Sequence, residues 1–176
     1  MSEFFNVRAI VAFPKIENVK FKDEKEHPCF NALFFFTEED TKTIQTYFKP
    51  HMDVNKKISS HLKEIDRAEF SNVPEEYTHQ MNMGSCIEYA DFLDLYQNEL
   101  DPAVIKFGDL VMISGEAKVT TQHTTNKKYL GAYLKVLALL KPGAVQMRQE
   151  NKAKSVMIEM LNGLEAEFAN EDTVPL

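Results

Sequence analysis

Residues 107–141, FGDLVMISGEAKVTTQHTTNKKYLGAYLKVLALLK, read as two long strands folded back on one another. In the first arm Val111, Ile113, Gly115, Ala117 and Val119 share one side of the pleat, and Met112, Ser114, Glu116, Lys118 and Thr120 share the other. In the return arm Leu130, Ala132, Leu134 and Val136 repeat the apolar side, while Tyr129, Gly131, Tyr133 and Lys135 repeat the polar one. One side is suited to a core and the other to water. The wet side carries two tyrosine rings among lysines, none of them needed for packing. Ring faces beside ammonium groups suit a flexible polyanion with unstacked bases, that is, single-stranded nucleic acid. Tyrosine and lysine are also ordinary on plain sheet surfaces, so the hairpin alone does not settle the matter.

Charge points to the same stretch. The chain of 176 residues has a net charge of -7, which by itself disfavours a phosphate-rich partner. The distribution is uneven. Residues 106–141 hold six basic and two acidic side chains, net +4, whereas residues 37–105 hold six and fourteen, net -8. An acidic protein with one basic face still focuses an attractive potential there. The length suits one domain with appendages. No apolar run is long enough to cross a bilayer and residues 1–6 lack a basic leader, so a soluble cytoplasmic protein is expected. Cys29 and Cys86 are too few for a disulfide framework and read as reduced, partly buried thiols.

Along the chain, residues 3–13 predict a strand that stops at Pro14, with Arg8 a further candidate for the exposed surface, its register open. Residues 15–27 are charged on both signs and read as a solvated connection. Residues 29–37 form a second strand, apolar on both sides through Leu33, Phe34, Phe35 and Phe36; Phe35 is expected in a core rather than as a stacking ring. Thr37 followed by Glu38, Glu39 and Asp40 predicts a capped helix reaching about Lys49. A second short helix is expected over 53–66 and a third from Ile87 to Leu100, before Pro102. Val156, Met157, Met160, Leu161 and Leu164 space a last helix over 149–168, and residues 169–176 are expected to be a flexible acidic tail.

These elements predict a mainly β, α+β chain. Its centre is a five-stranded Greek-key barrel of the oligonucleotide-binding type over 1–148, with a helical insertion at 38–105 and a C-terminal helix. Known enzyme motifs are missing: there is no phosphate loop, no Gly-x-Ser-x-Gly elbow and no dinucleotide fingerprint. His27, His51, His61, His79 and His123 show no HExxH, and Cys29 and Cys86 make no CxxC pair, so neither a metal nor another cofactor is expected. Asp91 and Asp94 could hold a divalent ion in a nuclease, but an i, i+3 pair of acids on a polar face is far more often solvated.

The chain ends Glu171-Asp172-Thr173-Val174-Pro175-Leu176, acids before an apolar tip. With the hairpin, its Gly108-Asp109 turn and the run Tyr129-Leu130-Gly131-Ala132-Tyr133, this ending resembles single-stranded DNA-binding proteins of the compact phage type. In that type an oligonucleotide-binding barrel is followed by a helix and an acidic tail. The likeness covers about the first 37 residues and 106–176. This chain departs from it in having no Trp and in ending on Leu rather than an aromatic residue. The resemblance implies a non-catalytic, sequence-tolerant binder of single-stranded DNA in phage DNA replication or recombination. It also implies that Glu171, Asp172, Pro175 and Leu176 recruit a polymerase, helicase or nuclease. The DNA-contact candidates are Arg8, Lys118, Lys127, Lys128, Tyr129, Tyr133 and Lys135. No membrane partner is expected, and a homodimer is compatible with the pattern. The alternative is an acidic interaction or inhibitor module acting through 37–105.

Overall fold

A computed structural model describes residues 3–21, 23–54, 62–121, 128–146 and 152–171. In order they form β1 (Phe5–Lys20), β2 (Glu26–Thr37), α1 (Glu38–Val54), β3 (Lys63–Glu64), β4 (Tyr77–Cys86), β5 (Asp91–Leu93), β6 (Leu110–Thr121), β7 (Lys128–Lys141) and α2 (Lys152–Glu171). Five strands lie side by side as β4-β2-β1-β6-β7, each antiparallel to its neighbour, and a parallel contact between Gly84 and Tyr133 joins β4 to β7. The sheet therefore closes into the five-stranded barrel of the oligonucleotide-binding type expected from the sequence, with helices added. No helix among the described residues is long and apolar enough to cross a membrane.

Alternation places the core. Val7, Val11, Phe34, Val111, Ile113 and Leu134 point inward from four strands and are fully or almost fully buried. Each such side chain contributes about 1.5–3 kcal/mol by leaving water. The Thr37 hydroxyl caps α1 by accepting from the Asp40 amide at 3.3 Å, and three acids fill the first turn. One turn apart, Ile44 and Phe48 enter the barrel core. Between them the Tyr47 hydroxyl accepts from the Ala117 amide at 3.0 Å and donates to the Glu3 carbonyl at 2.8 Å, tying α1 to β6 and to the segment that leads into β1.

Several local expectations are corrected. Strand β1 continues through Pro14: two residues, Phe13 and Pro14, oppose one on β2, a bulge that needs no proline N–H. Helix α1 likewise runs past Pro50 to Val54, where the missing N–H falls in the last turns. In place of helix at its far end, 53–66 holds the short strand β3. The region 87–100 is a single 3-10 turn, Ile87–Tyr89, then β5 parallel to β7. There the Asp94 carboxylate accepts from the amides of Tyr96 and Asn98 at 2.8 and 2.9 Å and closes a turn rather than lying on a helix.

The third barrel strand, β4, lies inside the stretch expected to be a helical insertion. Its inward residues include Met81 and Met83, and its outward ones are polar or glycine, so no β-branched run announces it. In β7, Lys135 is an extra residue: Ser114 pairs with Val136 and Gly115 with Leu134. The bulge reverses the alternation beyond it. Leu137 takes the buried place expected of Val136, which is only half-buried.

Candidate nucleic-acid interface

Outward-facing residues of the barrel line up across its strands. Lys15 on β1 pairs with Asn31 on β2, Asn31 with Gly84 on β4, Gly84 with Tyr133 on β7, and Tyr133 with Glu116 on β6. Four strand spacings of about 4.8 Å carry this row about 19 Å around the sheet. Its middle is low. A Cβ on Gly84 would meet the Phe30 carbonyl oxygen at 2.6 Å, so only glycine lets β4 lie this close to β2.

At the Tyr133 end the row opens into a groove of about 760 Å³. It is lined by Lys118, Tyr133 and Lys135 from β6 and β7, by Ser85 and Cys86 from β4, and by Phe21, Asp23 and His27 from the β1–β2 hairpin. The Lys118 ammonium sits 5.2 Å from the centre of the Tyr133 ring, a cation–π contact. Lys135, two residues along β7 from Tyr133, faces the same side, where its Nζ lies 3.4 Å from the Glu116 carboxylate. At the other end the row meets a second depression, about 580 Å³, bordered by Phe13, Lys15, Asn31 and Asn82.

Three sequence-derived candidates, Lys118, Tyr133 and Lys135, thus share one groove. Arg8 does not line it. Arg8 is exposed on β1 opposite Met112, four residues along β6 from Glu116, close enough to Asp40 to act on its carboxyl. Burial holds that carboxyl above its ordinary value, and the nearby Arg8 charge pulls it the other way. Lys128 and Tyr129 belong to β7 by their backbone, paired with Thr121 and Thr120, and their side chains lie outside the described residues. Lys127, Asp172, Pro175 and Leu176 lie outside them too, and Glu171 is the last residue of α2.

A closed barrel of this topology with added helices has counterparts among solved structures. The fold is similar to that of phage single-stranded DNA-binding proteins. The single-stranded DNA-binding protein of bacteriophage Enc34, solved in complex with single-stranded DNA, matches with a TM-score of 0.55 at 15% identity, over 85% of this chain and 88% of that one. A C-terminally truncated form of the same protein matches with a TM-score of 0.56 at 15% identity, over 79% of this chain and 86% of that one. The single-stranded DNA-binding protein encoded by bacteriophage T7 matches with a TM-score of 0.51 at 7% identity, over 85% and 91%. No protein-family model matches the sequence, and no curated protein matches it. Identities this low establish a shared fold.

The groove holds residues that the sequence reading passed over. Phe21 and Tyr89 are exposed rings at its rim, 42% and 69% accessible. The available signal was Lys20-Phe21-Lys22, an aromatic between lysines at a hairpin tip. His27 lies between two acids, its Nε2 at 2.8 Å from Asp23 and its Nδ1 at 2.9 Å from Glu88. Its hydrogen bond to Asp23, with support from Glu88, raises the imidazole above the ordinary 6.5. The Lys25 amide, then the imidazole, holds the Asp23 carboxyl below its ordinary value. Beneath them the Cys29 and Cys86 sulfurs are 3.4 Å apart on paired strands, and burial first, then the Cys29 contact, pushes the Cys86 thiol up to about 11. Both cysteines are free, and Cys86 stays protonated and unreactive near neutrality.

Proposed function

We propose that this protein binds single-stranded DNA without catalysing a reaction on it and with little regard to sequence, in phage DNA replication or recombination. One observation carries the reading: the Tyr133 ring, the Lys118 ammonium and Lys135 share an open groove on the outside of a closed oligonucleotide-binding barrel. A base stacks on Tyr133 once Lys118 swings from the ring to a phosphate, and Lys135 exchanges Glu116 for a second phosphate. Stacking of one base is worth about 1–3 kcal/mol and is indifferent to base identity, since every base has a π-face. The row over Gly84 and Asn31 to Lys15 leads the backbone on toward the second depression. Lys127, Lys128 and Tyr129, from the same basic hairpin, add phosphate and base contacts, and Arg8 serves phosphate beyond the groove.

The acidic ending, Glu171 and Asp172 with Pro175 and Leu176, competes with DNA for the basic hairpin and offers its apolar tip to a polymerase, helicase or nuclease. The similar folds of phage proteins, one of them solved with single-stranded DNA, support this reading.

Titration of labelled oligo(dT) by fluorescence anisotropy tests it. Binding should tighten as salt falls, and the paired change Tyr133→Ala with Lys135→Ala should abolish it while leaving the melting temperature intact. No binding below high micromolar concentrations, or degradation of the oligonucleotide on adding magnesium, defeats the proposal. Removing residues 169–176 should leave binding equal or stronger; weaker binding rules out a competing tail.

A further inference from the structure

Helix α2 is 20 residues long, and Val156, Met157, Met160, Leu161, Leu164 and Phe168 are all exposed on it. Ala153, Met157, Met160, Leu164 and Phe168 follow one another at steps of three and four, so they form a single stripe, with Val156 and Leu161 along its borders. A helix of this length gains little stability in water unless its apolar stripe is covered.

Its charges also run against its own dipole. Lys152 and Lys154 stand in the first turn, where the helix end is positive, and Glu165, Glu167 and Glu171 stand in the last two turns, where it is negative. A second α2 laid antiparallel removes both faults. It brings glutamates beside the lysine end and lysines beside the glutamate end, and it covers the stripe. The order of residues suits this symmetry. About a midpoint between Met160 and Leu161, Met157 falls opposite Leu164, Lys154 opposite Glu167, and the small Ala153 opposite the large Phe168. A parallel pair would set lysine beside lysine and glutamate beside glutamate.

We propose that α2 is a self-association surface and that its occupant is α2 of a second copy of this chain, packed antiparallel. The contact runs from Ala153 to Phe168, about 22 Å at 1.5 Å per residue. A two-helix contact of this size lies at the small end of stable interfaces, so the dissociation constant should be on the order of micromolar. None of this depends on what the groove binds.

Sedimentation equilibrium of the full chain, free of nucleic acid, tests the pairing. A monomer–dimer equilibrium is expected, and Met157→Glu with Leu164→Glu should leave only monomer while the barrel's melting temperature is unchanged. Lys154→Glu alone and Glu167→Lys alone should each weaken the dimer about tenfold, and the two together should restore it, because the swapped charges again oppose one another. Four results would overturn the proposal: a monomer at all concentrations up to about 100 µM, well above a micromolar constant; a dimer indifferent to Met157→Glu and Leu164→Glu; a charge swap no better than its single changes; or a monomer whose α2 amides resist hydrogen exchange, which would mean that the chain's own barrel covers the stripe.

Discussion

Two aromatic residues on the outer surface of the same barrel have opposite surroundings. Phe35 on β2 points away from the barrel core but is fully buried, because the chain after β3 lays Ile65, Phe70 and Val73 over it, with the Phe70 ring 5.0 Å away. Tyr133 on β7 also points outward and has beside it a glycine, two lysines and a glutamate, with open space above. An outward ring becomes part of a second core where a loop covers it, and stays open where its neighbours are too small or too charged to cover it. The strand around Phe35 is apolar on both sides and the one around Tyr133 alternates, and the covering segment lies over the first.

Substitution at each ring should separate the two roles. Phe35→Ala removes a large side chain from a closed cluster and is expected to cost about 3–5 kcal/mol of stability, read by chemical denaturation, while the folded fraction binds oligo(dT) as before. Tyr133→Ala should do the reverse, leaving stability within about 1 kcal/mol and weakening oligo(dT) binding by about 1–3 kcal/mol. Equal stability losses at the two positions would erase the contrast.

Finer changes sharpen it. Lys135→Ala should flatten the dependence of log affinity on log salt by about 0.7, the share of one phosphate contact on a single strand. Glu116→Gln frees Lys135 from its resting partner and should tighten binding at low salt by a few tenths of a kcal/mol, roughly the worth of an exposed ion pair. The smallest effect is expected at the hairpin tip. Since folding raises the His27 imidazole above 6.5, the protonated form is favoured in the native state. Its contribution is complete below pH 6.5 and disappears as pH rises through the folded value. Melting curves should show a small loss across that range that His27→Gln abolishes, and the His27 NMR titration should have a midpoint above 6.5.

Much of this arrangement is legible in the order of residues. The β6–β7 hairpin followed from its alternation, and the same alternation put Tyr133 and Lys118 on its wet side, where they lie together in one groove. Thr37 and the three acids after it marked the start of α1 to the residue. Strand β4 escaped because its register comes from β2, which pairs with it from Cys29 to Thr37, while its own side chains carry little strand preference. The expected helix over 87–100 failed for a related reason: an apolar spacing of three fits a helix, but the parallel partner β7 and the Asp94 turn offered its backbone other hydrogen bonds.

What the sequence determined by itself is what depends on near neighbours along the chain: strand faces, the helix cap, the basic block at 106–141 and the charge order of α2. Only the tertiary structure decided which outward residues meet. Lys15, Asn31, Gly84 and Tyr133 come from four separate strands, and the closure of β4 on β7 sets them in one row. The bulge at Lys135 is likewise a property of pairing, since an extra residue exists only relative to the strand beside it. Local chemistry is written in the order of residues, whereas a groove depends on distances between strands far apart in that order, and those are fixed only when the barrel closes.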